Sequence, residues 1–192
     1  MRIIESIKQS IEVKQAILSS TQHLSEIRKV AVACISAYSR GNKVLLCGNG
    51  GSAADAQHIA AELSGRFYYD RPPLSAEALH TNSSFVTAVA NDYSYEDIYS
   101  RAVQASGKKG DVLIGISTSG NSENIIRAMK TARGMGLQTI GFTGESGGKM
   151  LDVCDYLISV PSTDTPRIQE AHILIGHIIC ELVETALFPK ED

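Results

Sequence analysis

Two stretches of the 192-residue chain decide its fold: Lys43-Val-Leu-Leu-Cys-Gly-Asn-Gly-Gly-Ser52 and Asp111-Val-Leu-Ile-Gly-Ile-Ser-Thr-Ser-Gly-Asn-Ser122. Each is a short apolar run that ends in a turn of Gly, Ser and Asn. Each turn then opens a helix-favouring segment, 53–65 and 123–135. A run apolar at every position is buried on both faces, which is the pattern of a parallel strand. Residues 138–142 and 156–160 repeat the pattern, closed by Thr143-Gly144 and by Pro161. Strands that alternate with helices through short turns make βαβ units with right-handed crossovers. The expected fold is therefore α/β, a three-layer α/β/α sandwich around a central parallel sheet.

Toward the N-terminus, residues 3–40 read as helical. Ile3, Ile4, Ile7, Ile11, Ala16 and Ile17 share one stripe. A second helix over 25–40 presents Ile27, Val30, Ala31, Cys34, Ile35 and Tyr38, and Gly41-Asn42 stops it. Pro72-Pro73 marks a turn, and 79–81 has no clear pattern. Short helices are expected over 84–90 and 95–106, and a long apolar helix over 167–187. No linker or fixed-period repeat occurs. Residues 1–192 thus read as one domain, with a helical extension over 1–40 and a core over 41–188.

Composition removes several classes. Hydrophobic residues make up 43% and charged residues 20%, with a net charge of −3, so the chain is not disordered and has no basic footprint for nucleic acid. Four dispersed cysteines (Cys34, Cys47, Cys154, Cys180) are neither a disulfide framework nor a thiolate metal cluster. They read as small core hydrophobes. No apolar run approaches the ~20 residues of a membrane helix, and the N-terminus lacks a signal-peptide core. A cytoplasmic protein with no membrane or nucleic-acid partner is expected.

Both Gly/Ser turns fall at the C-terminal ends of strands, where open α/β sheets bind ligands. In the second, Ser117, Thr118, Ser119 and Ser122 gather hydroxyls around Gly120 at the start of a helix. Free N–H groups and the positive end of the helix dipole favour an anion there, and a phosphate monoester fits. Neither turn has P-loop or dinucleotide spacing. Ser-rich turns also cap helices, and that reading stands beside the phosphate one.

His58 and Glu62 lie i, i+4 on the helix after the first turn, so both are on one face. They suit a shared metal or a base beside one substrate, or simply a solvated pair. The final helix carries Arg167, Gln169, Glu170, His172 and His177 in an apolar setting. Flanked by apolar residues, His177 also reads as a core histidine bonded to a carbonyl. Gln169 and His177 are about 12 Å apart along a helix axis. Serving one metal would need an irregular helix start after Pro166, only one of them binding, or different subunits. Asn91-Asp92 suits either a cap for the next helix or hydrogen bonds to sugar hydroxyls.

The blocks CGNGGSAADAQHIAAELSGRF, VANDYSYEDIYSR, GDVLIGISTSGNSENIIRAM, GFTGESGGKM and PRIQEAHILIGHIICELVE together resemble the phosphoheptose isomerases of the sugar isomerase (SIS) domain superfamily. The resemblance runs from about residue 40 to 187. It implies a flavodoxin- or Rossmann-like SIS fold with N-terminal helices in oligomer packing. It also implies a homotetramer with active sites between subunits, and one zinc per subunit. The activity implied is isomerisation of sedoheptulose 7-phosphate to D-glycero-D-manno-heptose 7-phosphate through an enediol(ate), the first step toward the heptose of lipopolysaccharide core. By position, the zinc ligands would be His58, Glu62, Gln169 and His177. The phosphate seat would be Ser117, Thr118, Ser119 and Ser122. Asn49, Gly50, Gly51, Ser52, Asn91, Asp92 and Gln169 would line the substrate. Glu62 would act as base and His177 as acid. One departure is Thr165-Pro166 before RIQE, where some members carry a polar or acidic residue.

The competing reading is a non-catalytic SIS adaptor for a replication initiator, whose ending resembles Leu187-Phe188-Pro189 and the acidic tail here. That adaptor resembles this chain without a Glu at the position of Glu62, so keeping both Glu62 and His177 favours the enzyme. A phosphosugar-sensing regulator would need a DNA-binding module, and residues 1–40 do not supply one.

Overall fold

The computed structural model describes residues 2–190; Met1, Glu191 and Asp192, with the end of the acidic tail, lie outside them. Five strands, β1 (Val44–Gly48), β2 (Ala76–Ala78), β3 (Val112–Ile116), β4 (Gln138–Thr143) and β5 (Tyr156–Ser159), form one sheet in the order β2-β1-β3-β4-β5. All four pairings are parallel, with Leu45 opposite Leu113 and Ile114 opposite Ile140. Every residue of β1 and β3 is buried.

Among the described residues there are seven α-helices, α1 (Arg2–Ser19), α2 (Thr21–Ser39), α3 (Gly51–Ser64), α4 (Ser83–Asp92), α5 (Ile98–Ser106), α6 (Glu123–Gly134) and α7 (Thr165–Leu187), with α1 lying against α2 and α7. One face, through Val44, Leu46, Ile114 and Phe142, packs on Val30 and Cys34 of α2, Ile59 of α3 and Ile175 of α7. The other, through Leu45, Cys47 and Leu113, packs on Val103 of α5 and Met129 of α6. This is the three-layer α/β/α sandwich, with its helical N-terminus, that the alternation of strands and helices implied.

Several details differ from the sequence reading. A fifth strand, β2, occupies 76–78; it is a short edge strand without β-branched residues, so no pattern announces it. The second helix begins at Thr21, not near residue 25, because Ser20 caps it, its hydroxyl accepting the His23 N–H at 3.3 Å. Helix α7 starts regularly at Thr165 with Pro166 in its first turn, which removes the irregular start. The isoleucine stripe of α1 is real, but it faces outward: Ile3, Ile4, Ile7 and Ile11 are exposed and only Ile17 is buried. No helix among the described residues is long and apolar enough to cross a membrane.

Candidate active site

In a doubly wound sheet of this order the strand sequence reverses between β1 and β3. Those strands stay paired to Gly48 opposite Ile116, so the loops 49–52 and 117–122 emerge side by side. A reciprocal amide pair joins them. Asn49 Nδ2 donates to Asn124 Oδ1 and Asn124 Nδ2 donates to Asn49 Oδ1, each at 2.9 Å. The Tyr95 hydroxyl donates to the same Asn49 oxygen at 2.9 Å. Both lone-pair positions of Asn49 Oδ1 are therefore engaged within the protein, leaving an amide hydrogen and the loop backbone to meet a ligand. Gly50, at φ +55°, turns the chain into α3, a conformation L side chains rarely adopt.

In the second loop, Ser117 Oγ lies 2.9 Å from Ser122 Oγ and 3.4 Å from Ser119 Oγ. Ser119 Oγ accepts the Asn121 N–H at 3.1 Å. These hydroxyls cluster with one another, and Ser122, at the N-cap of α6, makes no side-chain cap bond. Capping therefore does not account for them, whereas Ser20 and Asn82 do cap α2 and α4. Hydroxyls over the free N–H groups of a helix start form a seat for an anion. A third loop buttresses it: Met150 N–H donates to Gly120 O at 3.1 Å and Lys149 N–H to Asn121 Oδ1 at 3.1 Å. At Gly120 any Cβ would lie 2.1 Å from the Gly147 carbonyl oxygen.

Two turns down α3, His58 and Glu62 meet His177 of α7. His58 Nε2 is 3.1 Å from Glu62 Oε1 and 3.4 Å from His177 Nε2. The two imidazoles stand edge to face, centroids 5.0 Å apart. A glycine makes this approach possible: at Gly176 a Cβ would lie 2.5 Å from Ile59 Cδ1. Burial of His177 as a carbonyl-bonded core histidine is thus overturned. That description belongs to His172, which is fully buried with Nε2 on the Thr143 carbonyl at 3.0 Å. Burial pushes the His172 pKa down to about 4 despite that bond.

The cluster fits a metal. Two imidazole nitrogens and a carboxylate oxygen, all within 4.8 Å of one another, are a borderline-soft donor set. Ligands of a tetrahedral zinc at 2.0–2.1 Å lie about 3.3 Å apart, close to the 3.1 and 3.4 Å from His58 Nε2 to Glu62 and to His177. Gln169 makes no hydrogen bond to the three. Its amide lies instead over Gly51, where a Cβ would be 2.5 Å from Nε2. Three of the four expected ligands therefore converge within this one chain, and the fourth faces the first loop.

Asn91 and Asp92 form the last turn of α4, exposed, with Asn91 Nδ2 donating to Asp92 Oδ1 at 2.9 Å. They do not cap the next helical turn: Ser94 is the residue ahead of the 3₁₀ turn at Tyr95–Asp97. Ser52 is buried at the start of α3, beside Gly50 and Gly51. The cysteines are free, and burial pushes the thiols of Cys34, Cys154 and Cys180 up to about 12, so none of these is a thiolate nucleophile at neutral pH. The sequence reading missed Tyr95 and Asn124, which lock the loops, and Phe67, whose ring stands 5.7 Å from that of His177. Asn124 sits just past the Ser/Gly/Asn turn and was open to discovery; Phe67 lies beyond a helix end and carried no signal.

A hydroxyl-lined helix start at the switch point of a parallel sheet, with an N,N,O cluster two turns down the adjoining helix, suits a protein that handles a phosphorylated small molecule. The family model described as "SIS domain" matches residues 8–144, and the chain belongs to that family. Within it, this is a member of the phosphoheptose isomerases. The phosphoheptose isomerase of Aneurinibacillus thermoaerophilus is 58% identical over 95% of this chain and 92% of its own length. That of Clostridium acetobutylicum is 57% identical over 96% and 94%. The solved phosphoheptose isomerase of Neisseria gonorrhoeae superposes with a TM-score of 0.90 at 41% identity, covering 96% of this chain and 97% of that one.

Proposed function

We propose that the protein isomerises sedoheptulose 7-phosphate to D-glycero-D-manno-heptose 7-phosphate. The observation that carries this is the meeting of His58, Glu62 and His177 two turns down α3, whose leading loop the Asn49–Asn124 amide pair joins to the uncapped, hydroxyl-lined start of α6. A seven-carbon phosphosugar has its phosphate and its reacting C1–C2 at opposite ends, which suits an anion seat at the start of one helix and a base on the neighbouring helix.

Ser117, Thr118, Ser119, Ser122 and the first N–H groups of α6 would hold the phosphate. Asn49, Gly50, Gly51, Ser52, Asn91, Asp92 and Gln169 would meet the sugar hydroxyls. Glu62 Oε1 is taken up by His58, so Oε2 would receive the C1 proton. His177 would give a proton to the C2 oxygen, forming the enediol. Proton return to C2 and loss of the C1 hydroxyl proton complete the aldose. Each group would contribute about 10²–10⁴-fold. His58, Glu62, His177 and Gln169 would hold zinc, which when bound would polarise the substrate oxygen, leaving His177 to donate from Nδ1.

We infer further that the exposed isoleucines of α1 are covered in a homotetramer, that Gln169 faces a site shared between subunits, and that the enzyme works in the cytoplasm. The test is direct. Sedoheptulose 7-phosphate is incubated with protein and aldose is followed by NMR, with Glu62→Gln alongside. Turnover lost in the variant supports the reading. A folded, zinc-supplied wild type without turnover would move the protein to the adaptor reading.

A further inference from the structure

Arg71 and Glu184 form an ion pair closed to solvent, their side chains 2% and 1% exposed. Buried charges are costly unless their remaining polar atoms are satisfied. Here they are. Arg71 Nε donates to Glu184 Oε1 at 3.0 Å. One terminal nitrogen donates to the carbonyls of Leu63, Gly65 and Pro72, and the other to the carbonyl of Glu62 at 2.9 Å. Glu184 accepts the N–H groups of Phe67 and Tyr68 at 2.9 and 2.8 Å. Burial works to raise the Glu184 pKa, but those N–H groups and the guanidinium outweigh it and hold the carboxyl below its usual range.

Three parts of the site meet at this pair. Arg71 caps the end of α3, the helix that carries His58 and Glu62, and bonds the backbone of Glu62 itself. Glu184 lies two turns beyond His177 on α7, on nearly the same face. Phe67, held by Glu184, sets its ring against His177. The pair thus ties both helices of the cluster to one another and to the loop beside it.

We propose that Arg71 and Glu184 are positioning residues for the isomerisation, fixing α3 against α7 and so the approach of Glu62 and His58 to His177. This rests on the assignment of those three as the reacting cluster. If the pair only stabilised the loop over 66–73, its loss would lower the melting temperature and leave chemistry alone. The test compares Glu184→Gln, Arg71→Lys and Phe67→Leu with Val103→Ala, a core change in α5 across the sheet. Turnover, KM, thermal midpoint and zinc affinity by chelator competition are measured for each.

Expected for both charged-pair variants is a kcat down about 10- to 100-fold, KM within about threefold, and zinc affinity down about tenfold or more. Phe67→Leu should lose about threefold to tenfold in kcat. Val103→Ala should lose midpoint only. Variants that melt earlier yet keep kcat and zinc affinity overturn the proposal. If a charged variant does not fold, Phe67→Leu at its half-buried position decides: unchanged kcat and zinc affinity overturn it. A wild type without activity strikes the proposed function instead, while the zinc readout still tests the positioning role.

Discussion

His172 and His177 stand five residues apart on α7, about 140° around the helix from one another. His172 is fully buried over β4, its ring 5.7 Å from Phe142, with one nitrogen on a strand carbonyl. His177 is half-buried, meets His58 nitrogen to nitrogen, and lies beside Phe67. Both have apolar neighbours in sequence, so flanking hydrophobicity does not separate them. What separates them is the partner that each face of α7 meets: the sheet for one, α3 for the other.

The contrast is tested most severely at the cluster proposed to react. Glu62→Gln and His177→Gln should each lower kcat by at least about 10²-fold, with circular dichroism and thermal midpoint close to wild type. An active Glu62→Gln enzyme would remove the carboxylate from the mechanism. Next is the proposed phosphate seat: Ser119→Ala should raise KM by about tenfold or more, since a hydrogen bond to a charged group is worth about 1.5–3 kcal/mol, and lower kcat less. An unchanged KM would put the phosphate elsewhere.

The smallest effect on activity belongs to His172→Gln, within about threefold, but it separates the two histidines through pH. The native pKa of His172, about 4, lies below its ordinary 6.5. The unfolded chain therefore binds the proton more readily. The stability from the neutral ring is fully present above pH 6.5 and is lost as pH falls toward 4. At 1.36 kcal/mol per unit this amounts to about 3 kcal/mol. Denaturant titrations between pH 7 and 4.5 should give a flatter slope for His172→Gln than for wild type. Equal slopes would assign the acid sensitivity to other groups.

Much of this was legible in the chain. Val44–Gly48 and Val112–Ile116 are apolar throughout because both faces of the sheet are covered, and that alone signals parallel strands. The loops could be read as ligand sites because strand ends and helix starts coincide there. His58 and Glu62 could be paired because helical spacing fixes their face. The crossing of α3 on α7 could not be read, since it depends on Gly176 meeting Ile59 across the fold. The Arg71–Glu184 pair spans 113 residues and has no periodicity to betray it. Strand β2 escaped because an edge strand of three residues needs no strong β-former.

The bare starts of α3 and α6 have a thermodynamic consequence. Ser20 and Asn82 satisfy their helices whether or not anything is bound. The helices that begin after Gly50 and Ser122 have no side-chain cap of their own. With a phosphosugar seated there as proposed, the amide hydrogens still free in those first turns would exchange more slowly, the ligand supplying what a cap would otherwise give. Local stability at those two helix ends would then be linked to substrate concentration, and the protein would be firmest where and when it is working.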